Sequence, residues 1–159
     1  MLLDTHTLIW YLSDDPQLPR TIKEKISKHA LVYVSVAVIW EIAIKGALGK
    51  LELNGKPIQT QQAVSDIIDA CASLKFEMLD ISAPHAVLAP FLISEHKDPF
   101  DRMLAAQSVQ LGLPLCSADR AFDQMSPGVQ RIWEEPPASQ DSPAPHQRRP
   151  QGSVKRRTQ

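Results

Sequence analysis

The chain has 159 residues, 43% of them apolar, with 17 basic and 18 acidic side chains and a formal net charge of −1. That length supports one domain with a real core, and the charge balance neither demands nor excludes nucleic acid as a partner. No apolar run approaches the ~20 residues of a membrane span, the start MLLDTHTLIW lacks a basic region ahead of Asp4, and Cys71 and Cys116 have no ligand-type spacing, so a cytoplasmic chain without signal peptide, zinc site or disulfide scaffold is expected.

Met1–Asp4 reads as a short strand and Thr5–Leu12 as a helix, after which Pro16 and Pro19 break the chain. Thr21–His29 is a charged helix and Ala30–Val34 a β-branched strand. Val36–Leu48 is helical through Ile39, Ala43 and Ala47, with Ile42 and Ile44 widening the stripe and Gly49 ending it. Leu51–Leu53 leads into an Asn54-Gly55 turn. An amphipathic helix follows over Thr60–Leu74, then a strand over Phe76–Ile81 and a short helix that Ser82 is placed to cap. Pro99–Leu111 is a helix closed by Gly112, Leu113–Ser117 a last strand, and Asp119–Gln124 a helical turn. Strands separated by helices predict βα units: an α/β fold around a mainly parallel sheet, with ligands beyond the carboxyl ends of the strands.

The composition changes after Trp133. Residues 134–159 hold five of the 13 prolines and one branched aliphatic side chain, Val154, too little apolar area to offset ordering entropy. The expected folded domain is therefore 1–133, followed by a disordered tail. The tail ends in Arg148, Arg149, Lys155, Arg156 and Arg157, and reads as a solvated extension or a weak phosphate-binding arm. Without it the chain has 12 basic against 15 acidic residues, a balance of −3.

Asp4 and Asp119 each follow a predicted strand from opposite ends of the sequence, which suggests a shared cleft. Glu41 lies in the first half of the helix after the second strand, flanked by Trp40 and Ile42; its alternative role is a surface pair with Lys45 at i,i+4. In HKDPFDRMLAAQ, Asp98 suits an N-cap, Pro99 the first helical position and Asp101 the third, so both acids can be read as caps or as ligands. Carboxylates held together repel one another, and a hard divalent cation removes that cost. Acids with no histidine or cysteine partner suit Mg²⁺, or Mn²⁺, better than zinc, and such an ion can activate water against a phosphate. None of the five histidines forms a metal-type pair, although His6 lies close to Asp4, and no glycine-rich phosphate loop or nucleophile elbow is present.

LLDTHTLIW, VSVAVIWEIAIKGALGKLEL and EHKDPFDRMLAAQSVQLGLPLCSAD, followed by Arg120-Ala121-Phe122, resemble the PIN-domain family, and more closely its VapC-type toxins, from Met1 to about Trp133. The resemblance implies a three-layer α/β/α sandwich and a metal-dependent endoribonuclease that cuts single-stranded or loop RNA, such as that of tRNA. It implies a site of Asp4, Glu41, Asp101 and Asp119, with Asp4, Asp101 and Asp119 on the metal. Thr5, His6, Asp98 and Ser117 would support it, and Lys45, Lys50 and Arg102 could hold RNA. A homodimer and a cognate antitoxin are implied as well, the antitoxin meeting the cleft and exposed apolar groups around Trp10, Tyr11 and Trp40. Ser117 stands where threonine is frequent in the family, and the tail has no counterpart there. Two other readings stand beside this one. A phosphatase with Asp4 as nucleophile would want D-x-D, where this chain has His6. A non-catalytic interaction module would use the acids only as caps and surface pairs.

Overall fold

The computed structural model describes residues 1–92, 95–125 and 128–134. Of the tail expected over 134–159, all but Glu134 lies outside the described residues. Glu134 itself pairs with Lys25.

The central strand β1 is only Leu2–Leu3, and both side chains are fully buried. A strand covered on both faces needs no polar alternation. It pairs in parallel with β2 (Tyr33–Ser35) on one side and β6 (Leu115–Cys116) on the other. With β5 (Glu77–Leu79) and β7 (Arg131–Ile132) the sheet has the order β5-β2-β1-β6-β7, all parallel. The chain thus builds outward from β1 through β2 to β5, then crosses back to lay β6 and β7 on the other side. That reversal places a topological switch point between β1 and β6, where a crevice opens at the strand C-termini.

Helices α1 (Thr5–Ser13), α2 (Arg20–Lys28), α3 (Val36–Ala47), α4 (Gln61–Ser73), α5 (Ala83–Leu88) and α6 (Pro99–Leu111) flank the sheet. Their apolar faces complete the core with Leu8, Ile22, Ile26, Val38, Ile42, Ile67 and Leu104. Cys71 and Cys116 are free thiols in that core. Among the described residues no helix is long and apolar enough to cross a membrane.

Local chemistry sets most boundaries. Ser35 ends β2 and caps α3, its hydroxyl accepting from the Ala37 amide at 3.0 Å. Thr60 caps α4 in the same way through Ala63. Gly112, at φ +62°, closes α6 in the left-handed region that glycine enters freely. Asn54 and Gly55, both at positive φ, form the tight turn between β3 (Glu52–Leu53) and β4 (Lys56–Pro57), an antiparallel pair of which the sequence reading had only the first strand and the turn. Gly46 lets α3 approach the main chain after this hairpin: a Cβ there would lie 2.0 Å from the Ile58 carbonyl oxygen.

Two strand expectations shift. The second strand occupies Tyr33–Ser35 rather than Ala30–Val34. The edge strand β7 was not anticipated. Its pattern is weak because Arg131 is spent on a bidentate pair with Asp123 (2.7 Å each) and on the Ser117 carbonyl (3.0 Å).

Candidate active site

Asp4, Asp98, Asp101 and Asp119 come from helix starts around the switch point, and Glu41 from the middle of α3. Asp4 follows β1 and caps α1, its Oδ1 accepting from the Thr7 amide at 2.7 Å. The Asp4 amide and the Thr7 hydroxyl both donate to the Cys116 carbonyl, at 3.2 and 3.1 Å, which ties this helix start to the end of β6. Asp119 lies just past β6 and caps the 3-10 turn Arg120–Gln124 through the Ala121 amide at 2.8 Å. Ser117 joins the two acids: its hydroxyl accepts from the Asp119 amide at 3.0 Å and hydrogen-bonds the Asp4 carboxyl. Burial raises the Asp4 carboxyl above its ordinary value, against the opposing hydrogen bonds of Ser117 and Thr7 and the nearby His6.

Glu41, only 4% exposed, sits on the inner side of α3. Its Oε2 accepts from the Thr5 hydroxyl and its Oε1 pairs with Lys45. The i,i+4 pair is therefore real, but one member is buried beside the crevice rather than on an open surface. Burial works against the Lys45 ammonium, yet Glu41, with Asp98 and Asp101 nearby, outweighs it and holds the lysine above its ordinary value.

The two acids of DPFDR divide the roles left open by the sequence. Asp98 is the cap: its Oδ1 accepts from the amides of Phe100 at 2.8 Å and Asp101 at 3.4 Å. Asp101 directs its own carboxylate outward, with Oδ2 2.6 Å from His96 Nε2. Burial pushes the Asp101 carboxyl up to about 6; His96 opposes the shift, while Asp98 and Glu41 add to it. One ligand atom each from His96, Asp101 and Asp119 lie within 4.8 Å of one another. Asp4 stands outside this close group, held by Thr7 and Ser117. His96 was missed by sequence reasoning because a lone histidine without a partner at metal-type spacing carries no signal.

The cations and aromatics singled out from the sequence take the following places. Arg102, read as a possible RNA contact or a partner for an acid, donates instead to the carbonyls of Ala89 (3.0 Å), His96 (2.8 Å), Pro90 (3.0 Å) and Leu92. It braces the loop before α6. Lys45 is engaged by Glu41, and Lys50 lies beyond the far end of α3 from its capped first turn. Of the aromatics expected to be exposed, Trp10 and Tyr11 are half-buried against Trp133 and Phe76. Trp40 is 58% exposed and meets Phe100 edge-on at 5.1 Å, beside Glu41 and Asp101 in the chain.

Comparison with known proteins adds to this geometry. The family described as PIN domain matches residues 1–126. Among solved structures, VapBC2 from Rickettsia felis, bound to a DNA fragment from its promoter, is similar with a TM-score of 0.58 and 16% identity, over 80% of this chain and 94% of that one. FitAcB from Neisseria gonorrhoeae gives 0.51 and 21%, over 76% and 88%, and FitAB bound to the IR36 DNA fragment gives 0.50 and 21%, over 74% and 84%. At these identities the likeness shows the fold. None of the curated proteins compared with the chain matches it.

Proposed function

Starting from the fact that this chain belongs to the PIN-domain family, whose members are in general nucleases, we propose that it is a metal-dependent endoribonuclease and the toxin of a VapC-type toxin–antitoxin pair. The observation that carries the reading is the meeting of Asp101 and Asp119 with His96 at the switch point, beside buried Asp4 and Glu41. Two carboxylates and an imidazole within a span of 4.8 Å fit one divalent cation. Bound there, Mg²⁺ or Mn²⁺ would neutralise charge on a phosphodiester and activate an attacking water, leaving a 5′-phosphate and a 3′-hydroxyl.

The chain's own groups have separate tasks. Asp101 and Asp119 would hold the ion. Asp4 and Glu41 would add negative charge near it, and Lys45 and Thr5 keep the Glu41 carboxylate in place. The capped starts of α1, α6 and the 3-10 turn surround the same crevice, and helix N-termini favour a phosphate. Because residues 1–133 carry a balance of −3, RNA should bind productively only once the ion is present. Asp4 as a covalent nucleophile finds no support, since it is 5% exposed and held by Thr7 and Ser117.

A partner protein is supported by the outer face of α3, where Val36, Trp40, Ile44 and Leu48 recur every fourth residue and are all exposed. Such a row suits an antitoxin or a second copy of the chain. The decisive experiment incubates the purified protein with single-stranded RNA, including tRNA, and with DNA of matching sequence, with Mg²⁺, Mn²⁺ or EDTA. Metal-dependent cutting of RNA that disappears in Asp119→Asn is the expected result. Absence of cleavage, or equal rates for wild type and Asp119→Asn, overturns the reading.

A further inference from the structure

We propose that His96 is a nitrogen ligand of the divalent cation and that the site in consequence selects Mn²⁺ over Mg²⁺. This rests on the nuclease reading above and deepens it by adding a nitrogen donor to the acids named there.

The geometry is the first support. An octahedral ion with bonds of about 2.1 Å holds neighbouring donors about 3 Å apart and opposite donors about 4.2 Å apart. His96 Nε2 and Asp101 Oδ2 already lie 2.6 Å apart, and one ligand atom from each of His96, Asp101 and Asp119 lies within 4.8 Å of the others, close enough for small side-chain adjustments to bring all three onto one ion. The other two acids are less available. Both Glu41 oxygens have partners, Lys45 and Thr5, and Asp4 caps α1 while bonding Ser117.

The placement of His96 is the second support. Its carbonyl receives the Arg102 guanidinium at 2.8 Å, and its ring packs 6.5 Å from that of buried Phe122, so the imidazole is presented by a braced loop at a set position. Preorganisation of that kind is what a ligand needs. It also gives Arg102 a purpose close to the site.

Chemistry then decides the ion. Asp4, Glu41, Asp98, Asp101 and Asp119 crowd the crevice with carboxylates, and Lys45 lies close enough to feel Glu41, Asp98 and Asp101 together. A neutral imidazole supplies a donor pair without another negative charge. Mg²⁺ strongly prefers oxygen and its own waters, whereas affinity for nitrogen rises along the first transition row from Mn²⁺ onward. The expectation from acids alone, with Mg²⁺ favoured, therefore changes once His96 is counted.

The test uses the full-length protein stripped of metal and reloaded with Mn²⁺. Pulsed electron paramagnetic resonance should show nitrogen coupled to the manganese, converting to the ¹⁵N pattern when the histidines are ¹⁵N-labelled. That conversion needs no variant at position 96. The coupling should persist in His6→Ala, which removes the histidine near Asp4, and vanish in His96→Ala. Calorimetry should give Mn²⁺ at least tenfold tighter binding than Mg²⁺, with His96→Ala lowering Mn²⁺ affinity tenfold or more and Mg²⁺ affinity less than threefold. If Mn²⁺ binds and is lost in Asp101→Asn, yet shows no nitrogen coupling or keeps it in His96→Ala, then His96 is not a ligand while the nuclease reading stands. If the wild type binds no Mn²⁺ at all, both fall.

Discussion

Replacing Asp101 with asparagine should abolish cleavage and, at the same time, stabilise the metal-free protein. The reason lies in the carboxyl being pushed up to about 6 by burial, from an ordinary value of 3.8. For an acid this direction means that the fold holds the proton more tightly than the unfolded chain does, so stability falls as pH rises between about 4 and 6 and stays lower above that window. Two units at about 1.4 kcal/mol each give an upper bound of about 3 kcal/mol. The side chain is 22% exposed, and solvent screening reduces the figure to about 1.5 kcal/mol. Losing a negative charge in the first turn of α6 subtracts about 0.5 kcal/mol. The remaining ~1 kcal/mol corresponds to a rise of about 3 °C in a domain of this size. Thermal unfolding in EDTA at pH 7.5 should show that rise, and it should shrink toward zero as the pH approaches 4.5. A lower Tm for Asp101→Asn at pH 7.5, or a gain independent of pH, would refute the argument that this carboxylate is held under electrostatic stress.

Gly46→Ala tests how closely α3 must approach the main chain. Helix propensity gains about 1 kcal/mol, but a Cβ 2.0 Å from the Ile58 carbonyl forces main chain apart, and the net loss should be about 1–3 kcal/mol in urea unfolding. An unchanged midpoint would count against it. Arg102→Lys should destabilise by about 2 kcal/mol, because one ammonium cannot serve four carbonyls. A variant of full stability that binds RNA more weakly would instead return Arg102 to the role read from sequence.

Much of the architecture could be read in one dimension because its signals are local. Pro99 and Gly112 bracket α6, Gly49 closes the region of α3, and the apolar run LPLC stands where β6 forms. The positions of Asp4 and Asp119 after adjacent strands were legible for the same reason, once the alternation of strands and helices was seen. What escaped depends on contacts that no spacing encodes. His96 meets Asp119 across more than 20 residues of chain, and Arg102 serves loop carbonyls whose convergence exists only after folding. β7 owes its pairing to the edge of β6 and to Arg131 reaching Asp123, not to an apolar pattern of its own. Asp98 and Asp101 show the limit most clearly: three residues apart at one helix start, either could be a cap by sequence, and only the direction of each carboxylate separates them.

The seam between β1 and β6 has a consequence for the timing of synthesis. Thr7 is fastened to Cys116 across 109 positions of chain, so the two halves of the crevice cannot meet until the ribosome has released most of the polypeptide. A nascent fragment carrying Asp4 and Glu41 alone has half of the constellation and no partner strand to complete it. On the proposed nuclease reading, an enzyme built this way would lack its site until Asp119 had emerged from the ribosome and met Asp4.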